Sequence, residues 1–291
     1  MRDRTAEVRV TTQCQLGEGP QWDEAHQRLL WLDIEGRVLH ALPSHTTHRT
    51  TQLEQVTSFI GPTRSGRLVA AGEGEVRLTD PAGATLHSLA TLPMGEGTRT
   101  NDGACDPQGR LWLGTVDEDR DRSQGALFRI DGAGEVEVLR TGLALSNGID
   151  WSPEGRVAYH VDTAPKRIDR LELDAGGDII VAEPFVRTEL MPDGLAVDEE
   201  GGVWIAFWDG GAVHRYSPEG ELDEVVHVEA GRVTSCAFGA PGTTELYITT
   251  ARQGMTSDDV RAQPASGALF AVDVGVGGRG VTAFADRMST E

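Results

Sequence analysis

Four polar residues in this chain are spaced as if they belonged to one site. Glu18, Asn101, Asn147 and Asp193 lie 13, 11, 12 and 11 residues before Trp31, Trp112, Tyr159 and Trp204. Each sits in a short motif that runs into an apolar segment: L-G-E-G-P, R-T-N-D-G, L-S-N-G-I and M-P-D-G-L. Two carboxylates and two amides offer oxygen donors, with no His or Cys among them. Carboxylates brought together repel, and each is costly to keep charged away from water; a bound cation removes both costs. Glu18, Asn147 and Asp193 as protein donors suit a hard divalent ion, Ca²⁺, Mg²⁺ or Mn²⁺, with Zn²⁺ and Fe(II) as further options. Three protein ligands leave positions open for water and substrate, as a catalytic ion requires. An Asn-Gly or Asp-Gly before a strand is also ordinary turn chemistry, so the weight rests on the shared phase.

The elements that must position these residues are repeats. Polar turns followed by short strands recur at D-P-Q-G-R-L-W-L-G-T (106–115), S-P-E-G-R-V-A-Y-H-V-D (152–162) and D-E-E-G-G-V-W-I-A-F (198–207). Weaker copies lie at 23–33, 63–71 and 240–250. Their central strand residues, Trp31, Val69, Trp112, Tyr159, Trp204 and Tyr247, are spaced 38, 43, 47, 45 and 43 apart. Further strands are readable at GALFRI (125–130), GAVHRY (211–216) and GALFAV (267–272). Repeats of about 40–50 residues that each hold about four strands are the signature of propeller blades. The prediction is an all-β, six-bladed β-propeller with an axial metal site, one domain over residues 1–291. N-terminal residues near Glu7–Thr11 are expected to complete the last blade. Residues that start equivalent inner strands are related by rotation about the axis, which would bring the four polar positions to one spot. By their repeat phase, Trp31, Trp112 and Trp204 are expected in the blade cores.

Composition fits this reading. The 291 residues are 38% hydrophobic and 25% charged, with 36 glycines for tight turns, and no stretch holds a sustained helical period. A net charge of −20, with Lys166 the sole lysine, argues against nucleic acid and anionic membranes as partners. No run of about 18 apolar residues marks a membrane span. Cys14, Cys105 and Cys236 are far apart and odd in number, which reads as free thiols in a reducing compartment. The N-terminus has no apolar core of a secretory leader, so a cytoplasmic location is expected.

Taken together, L-G-E-G-P-Q-W (16–22), R-T-N-D-G-A-C-D-P-Q-G-R-L-W-L-G-T (99–115), Q-G-A-L-F (124–128), L-S-N-G-I-D-W-S-P (145–153), P-D-G-L-A-V-D (192–198) and the segment from T-S-C-A-F-G to T-T-A-R-Q-G-M (234–255) resemble the SMP-30/gluconolactonase/LRE-like family, which includes regucalcin and bacterial sugar lactonases. The resemblance implies a six-bladed propeller with one catalytic divalent ion on Glu18, Asn147 and Asp193. It implies that Arg99 and Asn101 hold substrate hydroxyls, with Asp121 touching substrate where regucalcin-like members carry a longer Glu. Asp102 would support the site from behind. The implied reaction is hydrolysis of a sugar lactone, such as glucono-, xylono- or arabinonolactone, to the aldonic acid. In that chemistry the ion polarises the carbonyl and Asp193 activates water. No nucleophile elbow G-x-S-x-G is present, and His160 reads as a supporting residue. A calcium-dependent phosphotriesterase or arylesterase, or a calcium-binding propeller without catalysis, would use a similar axial ion.

Overall fold

The computed structural model describes residues 1–44, 47–118 and 123–287. Its strands form six sheets, taken here as blades 1 to 6 from their inner strands Gly17–Asp23, Phe59–Pro62, Thr98–Cys105, Ser146–Trp151, Pro192–Val197 and Val233–Phe238. Each inner strand packs beside the inner strands of its neighbours around a closed ring. All six central residues read from the sequence fall in the second strand of a blade, and the three further strands fall in the third.

The turn motif has a local cause. In blade 3, Asp106 Oδ1 accepts the backbone N–H groups of Gln108 (3.0 Å) and Arg110 (2.9 Å), while Oδ2 accepts Trp112 Nε1 at 3.0 Å. In blade 5, Asp198 repeats the pattern with Glu200 (3.0 Å), Gly202 (2.7 Å) and Trp204 Nε1 (2.9 Å). One carboxylate therefore closes the hairpin and fixes the indole that fills the blade. Trp31, Trp112 and Trp204 are fully buried, as expected. Trp112 meets Trp151 of blade 4 edge-on at 5.5 Å, and Trp204 meets Phe238 of blade 6 at 6.2 Å, so aromatic contacts join neighbouring sheets. The three cysteines are buried and free.

The ring closes with the N-terminus. Glu7–Val10 pairs antiparallel with Leu269–Asp273 and completes blade 6. Arg2–Thr5 also joins blade 5 as a fifth strand, parallel to Leu222–His227. Arg4 binds the buried Glu224 of blade 5, and it donates to the carbonyls of Asp273, at the end of blade 6, and Val274, just beyond it, at 3.0 Å apiece. At the other terminus, residues 274–287 cross one face of the ring, with bridges from Gly278 to Asp198 and from Phe284 to Thr63. A short helix, Ser257–Ala262, departs from the all-strand expectation; its start is fixed by a capping box between Thr256 and Asp259.

Five inner strands slip in register against their second strands. The slips fall between Glu18 and Gln21, Thr100 and Gly103, Ser146 and Ile149, Pro192 and Leu195, and Val233 and Ser235. Blade 2 pairs without interruption from Phe59 to Pro62.

Candidate active site

The slips lie where the polar residues stand. Glu18, Asn147 and Asp193 are each the second residue of an inner strand, and so is Arg99. A bulge frees a residue from the ladder and bends the strand, which re-aims its side chain. Asn101, Asn147 and Asp193 fall inside the slips, whereas Glu18 and Arg99 keep ladder partners, Leu32 and Val116, just before them; all five line one cavity of about 290 Å³ at the starts of the inner strands. Further along the same strands, Asp102, Ile149, Asp150 and Leu195 line a second, smaller cavity of about 80 Å³. Gly278–Thr282 of the crossing C-terminal segment also line it, and Arg279 pairs with Asp150 there. Asp102 thus stands deeper along the axis than the other site residues.

A hydrogen-bond chain holds the amides across three blades. Arg99 Nη1 donates to Asn101 Oδ1 at 3.1 Å. Asn101 Nδ2 donates to Asn147 Oδ1 and to the Ser146 carbonyl, both at 3.0 Å. Asn147 Nδ2 donates to Thr163 Oγ1 at 3.0 Å, and Thr163 passes its own proton to the Pro192 carbonyl at 2.7 Å. Thr163 has spent its hydrogen on Pro192, so it must accept from Asn147; this fixes which end of the Asn147 amide is oxygen. Both Asn101 amide hydrogens are spent inside the protein. What Asn101 retains for a ligand is acceptor capacity at Oδ1.

The electrostatics favour a cation. Burial, and then the charges of Asp193 and Asp102, hold the Glu18 carboxyl well above the usual carboxylate range. Burial also pushes Asp102 up to about 6, against a backbone hydrogen bond from Gly103 at 2.7 Å. Asp193 is 5% exposed. Among the described residues no three His, Cys, Asp or Glu side chains cluster as a ready metal site; the third oxygen in this cavity is the Asn147 amide. The buried Asp193 and part-buried Glu18 carboxylates, beside an amide oxygen with an unused lone pair, fit a hard divalent ion.

Ser146, next to Asn147, makes a pair that imitates a catalytic dyad. Its Oγ lies 2.8 Å from His160 Nε2, and both residues are wholly buried. Arg140 Nη1 lies 3.1 Å from His160 Nδ1, and Arg140 Nη2 is held by Asp169 at 2.7 Å. A guanidinium can only donate. Nδ1 therefore accepts, the imidazole proton sits on Nε2, and His160 donates to Ser146. Burial, with Arg140 and Arg167 nearby, holds His160 far below the usual histidine range, so it is neutral. This tautomer cannot take a proton from Ser146. The network instead clamps the Ser146–Asn147 step between blades 3 and 4.

The cavity wall also contains residues that the motifs did not single out as site residues: Thr163, Met191, Trp208, Arg232 and Gly254. They come from connections between strands and blades, where no repeat phase marks them. Arg252 is structural, donating to the carbonyls of Ser266 (2.7 Å) and Pro264 (3.1 Å). Asp121 lies outside the described residues.

The SMP-30/Gluconolactonase/LRE-like region matches residues 16–252. The chain belongs to this family. It is 35% identical over 274 residues to a 6-deoxy-6-sulfogluconolactonase of Pseudomonas putida, covering 90% of this chain and 92% of that one. It is 35% identical over 281 residues to the pentonolactonase XacC of Haloferax volcanii, covering 93% and 94%. A solved structure of the calcium-binding protein regucalcin from Agrobacterium tumefaciens superposes with a TM-score of 0.90 at 30% identity, covering 99% of this chain and all of that one. The six-bladed propeller is thus shared along the whole length. No helix among the described residues is long and apolar enough to cross a membrane.

Proposed function

We propose that this protein, acting as one propeller over its 291 residues, hydrolyses a sugar lactone to its aldonic acid with a divalent ion on Glu18, Asn147 and Asp193. The observation that carries the reading is the convergence of two carboxylates, one buried and one part-buried, and an oriented amide oxygen on one cavity, each from a bulged inner strand. When bound, the ion supplies Lewis-acid polarisation of the ester carbonyl and balances the charge that develops on its oxygen.

The chain's residues do the rest. Asp193 takes a proton from the water that attacks the carbonyl carbon. As the ring C–O bond breaks, the same carboxyl returns the proton to the departing ring oxygen. Water and lactone give the aldonic acid, with no other reactant. Asn101 Oδ1 accepts from a sugar hydroxyl, and Arg99 orients the sugar beside it. Asp121 is placed next to the substrate by its motif alone. Asp102 adds negative charge behind Glu18 and so favours the cation.

Two relatives of equal identity are named for different lactones, a sulfogluconolactone and a pentonolactone. The sugar is therefore set by the cavity wall rather than by the ion site. Calcium is the first ion to try, because the regucalcin structure is that of a calcium-binding protein. The test is hydrolysis of a panel of sugar lactones by metal-stripped protein, before and after adding Ca²⁺, Mg²⁺, Mn²⁺, Zn²⁺ or Fe²⁺. Spontaneous hydrolysis and Asp193→Ala serve as controls. Restored turnover that disappears in the variant is expected. Metal binding without turnover of any lactone would overturn the reading in favour of a binding propeller or a phosphotriesterase.

A further inference from the structure

We propose that the cavity takes lactones that carry a second, anionic group on the carbon chain away from the ring carbonyl, and that Arg232 receives that group. The inference rests on the lactonase reading and names its substrate class.

Arg232 stands immediately before the inner strand of blade 6 and lines the same cavity as Glu18, Asn147 and Asp193. Its guanidinium carbon lies 5.6 Å from the centroid of Trp208, another wall residue. The indole face attracts the cation and holds it at the wall. Nη2 makes one long bond, 3.4 Å, to the Gly254 carbonyl. Nη1 is shielded from water and has no hydrogen-bond partner among the described residues.

Two buried guanidiniums on the blades, Arg215 and Arg129, are saturated with acids. Arg215 pairs with Asp198 at 2.7 Å and Asp223 at 2.6 Å, and Arg129 pairs with Glu137 and Asp178. Arg77 also has an unmatched Nη1, but it lies outside this cavity. Asp259 is close enough to feel the charge of Arg232, but it forms no ion pair with it, and its Oδ2 accepts the Thr256 N–H and hydroxyl at 2.8 and 2.7 Å. Glu18 and Asp193 are the pair that a divalent ion would neutralise. Arg232 is therefore a cation at the wall with N–H bonds unmade and no carboxylate bonded to it.

Unmade N–H bonds on a shielded cation are costly. An entering carboxylate, sulfonate or phosphate presents the two-pronged acceptor that a guanidinium matches. Turning the fork to meet it gives up only the long Gly254 bond. Gly254, at φ +67°, adds no side chain to block the turn. A neutral sugar hydroxyl supplies neither the charge nor the second prong.

The test compares metal-loaded protein on gluconolactone with its glucaric, 6-phospho and 6-deoxy-6-sulfo counterparts, in wild type, Arg232→Gln and Arg232→Lys, each checked for folding by thermal melt. At least one anionic lactone is expected to exceed the neutral one by about tenfold or more in kcat/KM. That ratio should fall toward one in Arg232→Gln and be partly kept in Arg232→Lys. Which anion wins identifies the group. Calorimetric binding of glucarate against gluconate gives the same comparison without turnover. A ratio near one in wild type, or a ratio unchanged in Arg232→Gln, overturns the proposal. Tighter glucarate binding that depends on Arg232, with no lactone turned over, would keep the anion site and discard lactonase activity.

Discussion

Blades 2 and 4 share a fold but place different chemistry at the axis. At the second residue of the inner strand, blade 4 carries Asn147 and blade 2 carries Ile60. Blade 4 slips by a bulge there, and Asn147 enters a polar chain with Asn101 and Thr163. Blade 2 pairs in register, and Ile60 packs among Leu30, Leu32 and Leu68 toward blade 1. A regular ladder keeps a side chain on the sheet face, where the neighbouring blade buries it. The bulge is what turns the position toward the axis. For Asn101, Asn147 and Asp193 the axial position coincides with an interruption in pairing.

The comparison can be broken by exchanging the consequences. Asp193→Asn is expected to cost roughly 10²–10⁴-fold in kcat while barely moving the melting temperature. Ile60→Ala should do the reverse. It should lose about 2–5 kcal/mol of stability by denaturant unfolding, with kcat per folded molecule retained. A large loss of kcat in Ile60→Ala would mean that the register of blade 2 also shapes the cavity.

The bulge itself is tested at its glycine. A Cβ on Gly148 would lie 2.4 Å from the Leu195 nitrogen and 2.8 Å from the Asp193 carbonyl, both backbone. On Gly61 of blade 2 the nearest atom, at 2.9 Å, is a ring carbon of Phe59, which can move. Gly148→Ala is expected to cost about 1–3 kcal/mol and to weaken metal binding, measured by calorimetry. Gly61→Ala should cost less and leave metal affinity in place.

Ser146→Ala sharpens the tautomer argument. A nucleophilic serine would lose activity by orders of magnitude. A clamp that only orients Asn147 should lose within about tenfold, in kinetics at saturating metal. His160→Leu leaves Arg140 Nη1 without its acceptor and should cost more stability than Ser146→Ala.

The smallest effect lies away from the axis, on the outer part of blade 1. His40 stacks on Trp31 at 4.8 Å and meets Cys14 Sγ at 3.5 Å and His48 at 3.0 Å. Burial, and then His48, lower it to about 4, against Asp33, which raises it. The unfolded chain takes up this proton near pH 6.5, before the folded one does. The stability contribution is therefore complete above that pH and is lost as pH falls toward 4. Melts of His40→Phe should show a shallower acid decline over that window than wild type.

Much of this was readable from spacing. The period marked the second strands, and the polar phase marked the inner-strand starts, because rotation about one axis repeats both. Ring closure by Glu7–Val10 fell where expected. Blade 2 was legible as a repeat at 63–71, but nothing in the V-T-S-F-I-G-P run before it (56–62) shows that the ladder stays regular. The parallel strand Arg2–Thr5 had no turn to announce it. Thr163, Trp208 and Arg232 reach the cavity through tertiary placement of connecting segments, and neither period nor motif records that. The helix Ser257–Ala262 is short enough to rest on its cap rather than on an apolar stripe.

The double use of the N-terminus also orders events in time. Residues 2–5 need 222–227, and residues 7–10 need 269–273, before they can pair. During synthesis at about 5–20 residues per second, residues 2–10 stay unpaired for tens of seconds after they emerge. Their strand edges are exposed through that interval, and the latch shuts only when the final sheet arrives. The same latch ties the first and last sheets into one unit, so a mature ring should open all at once rather than blade by blade.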